Sequence, residues 1–260
     1  MPGLHFGFGA LEADFWRWAF LMTRIGAALV GVPFFSLGNV PTEVRVILAA
    51  AVAALVAGWT GAAAPADLLS LAGMLAVAGE VLVGLMLGFV LQIAFAGPVI
   101  AAELIGGGMG MGLAASVDPT NGAHSPALGQ FFGVILTLIF LGLGGHLQWF
   151  ALLVRSYDTF PPGHTWLGPE HFRAVAGFAS AMFATAVAMA LPVSLVLLLV
   201  QLMAGILSRS APALNLFSLG LPAAICAGFA ALLASLPLLG DRLTTLSADA
   251  IAACASLTGG

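Results

Sequence analysis

Residues 68–102 read LLSLAGMLAVAGEVLVGLMLGFVLQIAFAGPVIAA, and Glu80 is the one ionisable side chain among them. A membrane-spanning helix needs about 20 apolar residues, so this stretch is longer than one span requires. Its obvious break is Gly97-Pro98, because proline lacks an amide proton and clashes with the preceding helical turn. A run this apolar has no place on a water-facing surface, and the remainder of the chain is read outward from it.

The composition agrees. Hydrophobic residues make up 61% of the 260, charged residues 7%, and mean hydropathy is +1.12. A soluble domain is about a quarter charged, because its surface must be wetted. Seven arginines, no lysine and eleven acids cannot cover a soluble body of 26.3 kDa. The net charge of −4 and the absence of a basic run argue against a nucleic-acid partner. The N-terminus, MPGLHFGFGALEAD, has no basic region ahead of its first apolar stretch, so no cleavable signal peptide is expected. Cys226 and Cys254 have no metal or redox spacing and read as small hydrophobes.

Further apolar stretches lie on both sides. Upstream are Phe15 to Leu37, with Arg17 and Arg24 near its start, and Val44 to Ala64 after the turn Gly38-Asn39-Val40-Pro41. Downstream, Ala127 to Val154 is apolar apart from Gln130, His146 and Gln148, and a polar loop covers Arg155 to Arg173. Ala174 to Ser208 carries no charge, with Pro192 near its middle, and Ser210 to Gly240 holds Pro212, Pro222 and Pro237. The runs do not alternate with period two as barrel strands would. Every backbone amide at membrane depth must be satisfied, so the chain reads as an all-α integral membrane protein. It is expected to be one helical domain over residues 1–260, a bundle of long, proline-broken helices arranged as helical hairpins.

Between the third and fourth stretches stands ELIGGGMGMGLAASVDPTNGAHSP, residues 103–126, with five glycines from Gly106 to Gly112. Gly110 to Ala115 fits the G-x-G-x-x-A form of a dinucleotide loop, but that motif needs a preceding strand and an acidic residue about 20 positions on. Here apolar helices flank it, and Asp118 is too near. Two readings stay open. The glycines either let helices pack closely, with a surface turn after them, or form a side-chain-poor strip lining a water-filled path.

No catalytic constellation emerges. Glu80 and Glu103 are the carboxylates set deepest in apolar sequence, and such groups are costly at membrane depth. Each reads as a hydrogen-bonded interhelical contact or a helix-end residue ahead of a proton relay. The histidines do not cluster, so neither a metal nor any other cofactor is expected.

Taken together, these motifs resemble the flagellar biosynthetic protein FliR family, which has counterparts in virulence-type type III secretion systems. The glycine run is followed by Val117-Asp118-Pro119, then by Gly145-His146, Ser156 and Pro161-Pro162-Gly163. Farther on come Leu191-Pro192, then Gly205, Arg209 and Pro212 as Gly-x-x-x-Arg-x-x-Pro, then Gly220-x-Pro222. Near the start Arg24, Pro33, Val40-Pro41 and Arg45 also fit.

The resemblance implies a non-enzymatic subunit of the flagellar protein export gate, in the bacterial inner membrane within the basal body. In that family one copy assembles with several copies of two smaller membrane proteins, the P and Q types, and meets the large export-gate proteins. Together they form a closed channel for unfolded protein substrates, and a glycine-rich loop helps keep it shut. Carried onto this chain, the loop is residues 106–126. The channel-plug residues are Gly106, Gly107, Gly108, Met109, Gly110 and Met111, continuing to Gly112, Ser116, Asp118 and Pro119. Glu103, Gly145, His146 and Pro192 fall to structure and assembly, as do Arg209, Pro212, Gly220 and Pro222. The alternatives are the homologous virulence subunit and, more distantly, a proton-coupled small-molecule transporter using Glu80 and Glu103.

Overall fold

Amides at membrane depth find no water, so a run as apolar as residues 68–102 must satisfy them within itself. In the computed structural model it does so as one 38-residue helix, Leu71–Gly108, with Pro98 inside it. The structure describes residues 10–36, 40–60, 65, 68, 70–111, 126–163, 166–210 and 216–259. Those residues form helices α1 (Ala10–Gly31), α2 (Pro33–Ser36), α3 (Thr42–Trp59) and α4 (Leu71–Gly108). They continue with α5 (Pro126–Gly142), α6 (Gly145–Thr159), α7 (Pro169–Ser210) and α8 (Leu216–Leu257). No strand occurs among the described residues, and the protein is all-α.

The prolines do not end these helices. Pro98 stands inside α4, Pro192 inside α7, and Pro222 and Pro237 inside α8. A proline removes one amide bond, and membrane helices tolerate it because neighbouring groups re-satisfy the freed carbonyl. Two interruptions fall instead at glycines in the left-handed conformation. Gly110 (φ 78°) follows α4, and Gly144 (φ 70°) separates α5 from α6. Only glycine adopts that conformation without steric cost.

Among the described residues, four helices are long and apolar enough to cross a membrane: Thr42–Trp59, Leu71–Gly108, Pro169–Ser210 and Gly220–Leu257. A fifth span arises if α5 and α6 count as one broken span. α1 is not among them, and it carries Glu12, Asp14, Arg17 and Arg24.

The chain divides into two compact units. One comprises Met1–Ala94, Gly144–Ala179 and Ala248–Gly260; the other comprises Phe95–Leu143 and Ser180–Ser247. Helices α4, α7 and α8 each run from one unit into the other.

In the first unit α1 packs on α3, where Trp18 Nε1 donates to the Ala50 carbonyl at 3.0 Å. Arg17 donates to the carbonyls of Ala57 (2.7 Å) and Thr60, taking up acceptors that the end of α3 leaves unpaired. α1 meets α4 along a seam of small residues. A Cβ on Gly88 would lie 2.5 Å from the Ala28 carbonyl oxygen, and one on Gly31 would lie 2.9 Å from backbone of Gly88. A Cβ on Gly84 would overlap the Arg24 carbonyl oxygen. Gly84 and Gly88 are four apart, the spacing that puts both on one face of α4. Trp149 is fully buried and donates Nε1 to the Leu87 carbonyl at 3.2 Å.

In the second unit Phe95 and Phe140 meet edge to face at 5.7 Å. Gly97 lets α7 approach, since a Cβ there would be 3.2 Å from Met182. Large apolar side chains remain outside along α7, with Met203 and Ile206 each 70% exposed and Leu199 61%. A contiguous apolar face of this kind belongs against lipid or another protein.

Candidate functional site

The glycine run begins inside α4, not after it. Gly106, Gly107 and Gly108 form its last turn, which would leave three carbonyls without intrahelical partners. Two are taken by the chain's own reversal: Met111 N donates to Gly106 O and Gly110 N to Gly107 O, both at 3.0 Å. With Gly110 left-handed, these are the two bonds of a Schellman cap. The third, Gly108 O, accepts from Gln201 Nε2 of α7 at 2.8 Å.

Side chains reinforce the cap. A Cβ on Gly108 would lie 2.9 Å from Leu197 Cδ1, so α4 and α7 touch there without space for one. Met109 is fully buried, and its thioether lies over Gly228 of α8, where a Cβ would be 2.7 Å from Met109 Cγ. Gly106 is buried as well, whereas Gly107 is exposed with nothing within 4 Å of the place a Cβ would take. Met109 and Met111 border an apolar cavity of about 350 Å³ whose walls include Ala127, Phe132, Phe229 and Leu232. Gly112, Ser116, Asp118 and Pro119 lie outside the described residues.

The other singled-out residues are dispersed. Glu103 is exposed on α4. Gly145 is buried at the start of α6, and the adjacent His146 has its Nδ1 without a hydrogen-bond partner among the described residues. Pro192 is half-buried in α7, while Arg209 is exposed in its last turn, where a cation complements the helix dipole. Gly220 is half-buried and Pro222 exposed in α8, and Pro212 lies outside the described residues.

Glu80 is where the sequence alone is least informative. Its Oε2 accepts from Arg24 Nε at 2.7 Å, and both side chains are fully buried. Arg24 also donates to Ser156 O (2.8 Å), Ser156 Oγ (3.1 Å) and Phe160 O (2.7 Å). Its guanidinium sits 4.1 Å from the centre of the Tyr157 ring, and Tyr157 in turn donates to Leu21 O at 2.7 Å. The second Glu80 oxygen accepts from Gly163 N at 3.3 Å. One ion pair thus ties α1, α4, the last turn of α6 and the turn after it. A cation on the closing carbonyls of a helix is electrostatically favourable. Held in this way, Glu80 is an interhelical contact, and the transporter reading loses one of its two carboxylates.

Gln201 and Gly228 are the positions that sequence reading missed. Gln201 did leave a signal, as the one polar side chain between Ser194 and Ser208. Gly228 left none, being one of 33 glycines.

A family model described as bacterial export proteins, family 1, matches residues 15–250. The flagellar biosynthetic protein FliR of Escherichia coli (strain K12) is 32% identical over 232 residues, 88% of this chain and 86% of the relative. FliR of Bacillus subtilis (strain 168) is 34% identical over 219 residues, 81% and 83% of the two chains. The surface presentation of antigens protein SpaR of Shigella sonnei is 33% identical over 144 residues, 55% of each.

Proposed function

This chain belongs to the flagellar biosynthetic protein FliR family of bacterial export proteins, and on that premise we propose that it is a subunit of the flagellar type III protein export gate. It sits in the bacterial inner membrane within the basal body. There it joins the two smaller gate proteins of the P and Q types and meets the large export-gate proteins, forming a closed channel for unfolded polypeptides. The chain itself catalyses nothing. The observation that carries this reading is the match to FliR relatives over more than four-fifths of the chain.

The virulence-system reading has the SpaR match behind it, but that match covers 55% of the chain. Affinity purification from the native membrane tests the assignment. The P- and Q-type flagellar gate proteins are expected to co-purify, and recovery of needle-complex proteins in their place would transfer the chain to a virulence apparatus.

Within the gate, residues 106–126 act as the plug. A plug must stop ions and water at rest and yet yield to an unfolded chain. Glycine and alanine with the thioether of Met111 make a pliable, uncharged strip between Gly110 and Ala115. Deleting residues 112–116, which keeps the α4 cap, is expected to let small ions through a complex that still assembles. Membrane conductance equal to that of the parent would dismiss the plug.

A further inference from the structure

We propose that Gln201 and Gly228 are positioning residues that hold the foot of the plug in its closed place, an assignment that rests on the plug reading above. The foot is the turn from Gly108 to Met111, and helices other than its own fix it. From α7, Gln201 Nε2 reaches Gly108 O at 2.8 Å, and Leu197, one turn earlier on the same face, closes over Gly108. From α8, Gly228 gives Met109 a flat seat that any larger side chain would occupy.

The amide suits its task. It supplies a donor to a helix-end carbonyl without bringing a charge into an apolar run, where a charged group is costly. Gly228 suits its own, since a Cβ there would run into the side chain of Met109, which is fully buried. Beside the foot, Met111 borders the cavity of about 350 Å³, so general packing on that side is incomplete. Missing contact atoms contribute no dispersion energy.

The experiment measures ion leak through the complete export complex in native membranes, normalised to the amount of complex, for four variants. Gln201→Leu removes the donor and is expected to raise the leak about fivefold, equivalent to roughly 1 kcal/mol on the closed-to-open ratio. Gln201→Met keeps the length and flexibility of the side chain without a donor and is expected to leak as much as Gln201→Leu. Gly228→Leu displaces Met109 and is expected to raise it by about tenfold or more. Deletion of residues 112–116 is the reference for an absent plug.

If the deletion leaks while Gln201→Leu and Gly228→Leu stay tight, the anchor assignment is overturned and the plug reading stands. A tight deletion overturns both. A leak in Gln201→Leu that Gln201→Met does not share also overturns the assignment, because it would then reflect side-chain shape in helix packing and not the hydrogen bond. Should Gly228→Leu fail to assemble, the exposed Gln201 pair decides alone.

Discussion

Replacing Glu80 by glutamine is expected to cost about 3–5 kcal/mol of stability, because it leaves the Arg24 guanidinium charged, buried and without its counter-ion. The change is nearly isosteric, so packing is not the cause. Arg24 and Glu80 are both fully buried and meet at 2.7 Å, which excludes solvent screening of the charge left behind. A domain is commonly stable by only about 5–15 kcal/mol, so a loss of this size removes a large part of the margin. Arg24→Met should be about as harmful, since the Ser156 and Phe160 carbonyls at the end of α6 would lose their donor. Changing both partners, Arg24→Met with Glu80→Leu, is expected to recover much of the loss, as apolar pairs often replace buried ion pairs without penalty. The readout is the amount of full-length chain in the membrane and its survival in a protease series with temperature. A Glu80→Gln chain as resistant as the parent would show that the pair adds nothing to stability.

The second large effect is expected at the α1–α4 seam. Gly84→Val places a side chain where the Arg24 carbonyl oxygen already stands, and Gly88→Val does the same against Ala28 O, 2.5 Å from the new Cβ. Both obstacles are backbone, so no rotamer change relieves them and the helices must part. Overpacking commonly costs about 1–3 kcal/mol and occasionally more. Here the upper end or beyond is expected, because parting the helices also draws Arg24 away from Glu80. The outcome to measure is loss of intact, protease-resistant chain from solubilised membranes. Gly26→Ala on α1 is the matched control, with nothing within 4 Å of its new methyl group. It should be neutral or stabilising by up to about 1 kcal/mol, the helix-propensity difference. Equal behaviour of Gly26→Ala and Gly84→Val would refute the seam.

Both predictions concern residues that were visible in the sequence without their meaning. Glu80 stands out in residues 68–102 as a lone carboxylate, which marks it as a contact or a relay but names no partner. Arg24 lies 56 positions away. The pairing depends on which faces of α1 and α4 meet, and hydropathy along one strand of text carries no face-to-face information. Gly84 and Gly88 do have a helix-packing spacing, yet in a chain with 33 glycines that spacing arises easily by chance.

The glycine run divides in the same way. Its five glycines announced unusual backbone freedom, and left-handed Gly110 uses it. Gly106 to Gly108 do not, because they continue α4 and one of them serves the contact with α7. The prolines illustrate the converse error. Each reads locally as a helix stop, but Pro98, Pro192, Pro222 and Pro237 all lie within helices. Whether a missing amide bond ends a helix depends on what surrounds the freed carbonyl.

The sequence by itself determined the class of the molecule and its family. Too few charges to wet a surface, and apolar runs whose amides can be satisfied only as helices, leave one kind of fold in a membrane. The ordered Gly, Pro, Arg and His positions pointed to the FliR family, as the relatives bear out. Tertiary structure alone decided that Arg24 neutralises Glu80, that α1 and α4 touch through glycine, and that Gln201 and Gly228 seat the end of α4. These contacts join residues distant in sequence through helix faces set by packing, and packing follows from three-dimensional shape, to which composition and spacing along the chain are blind.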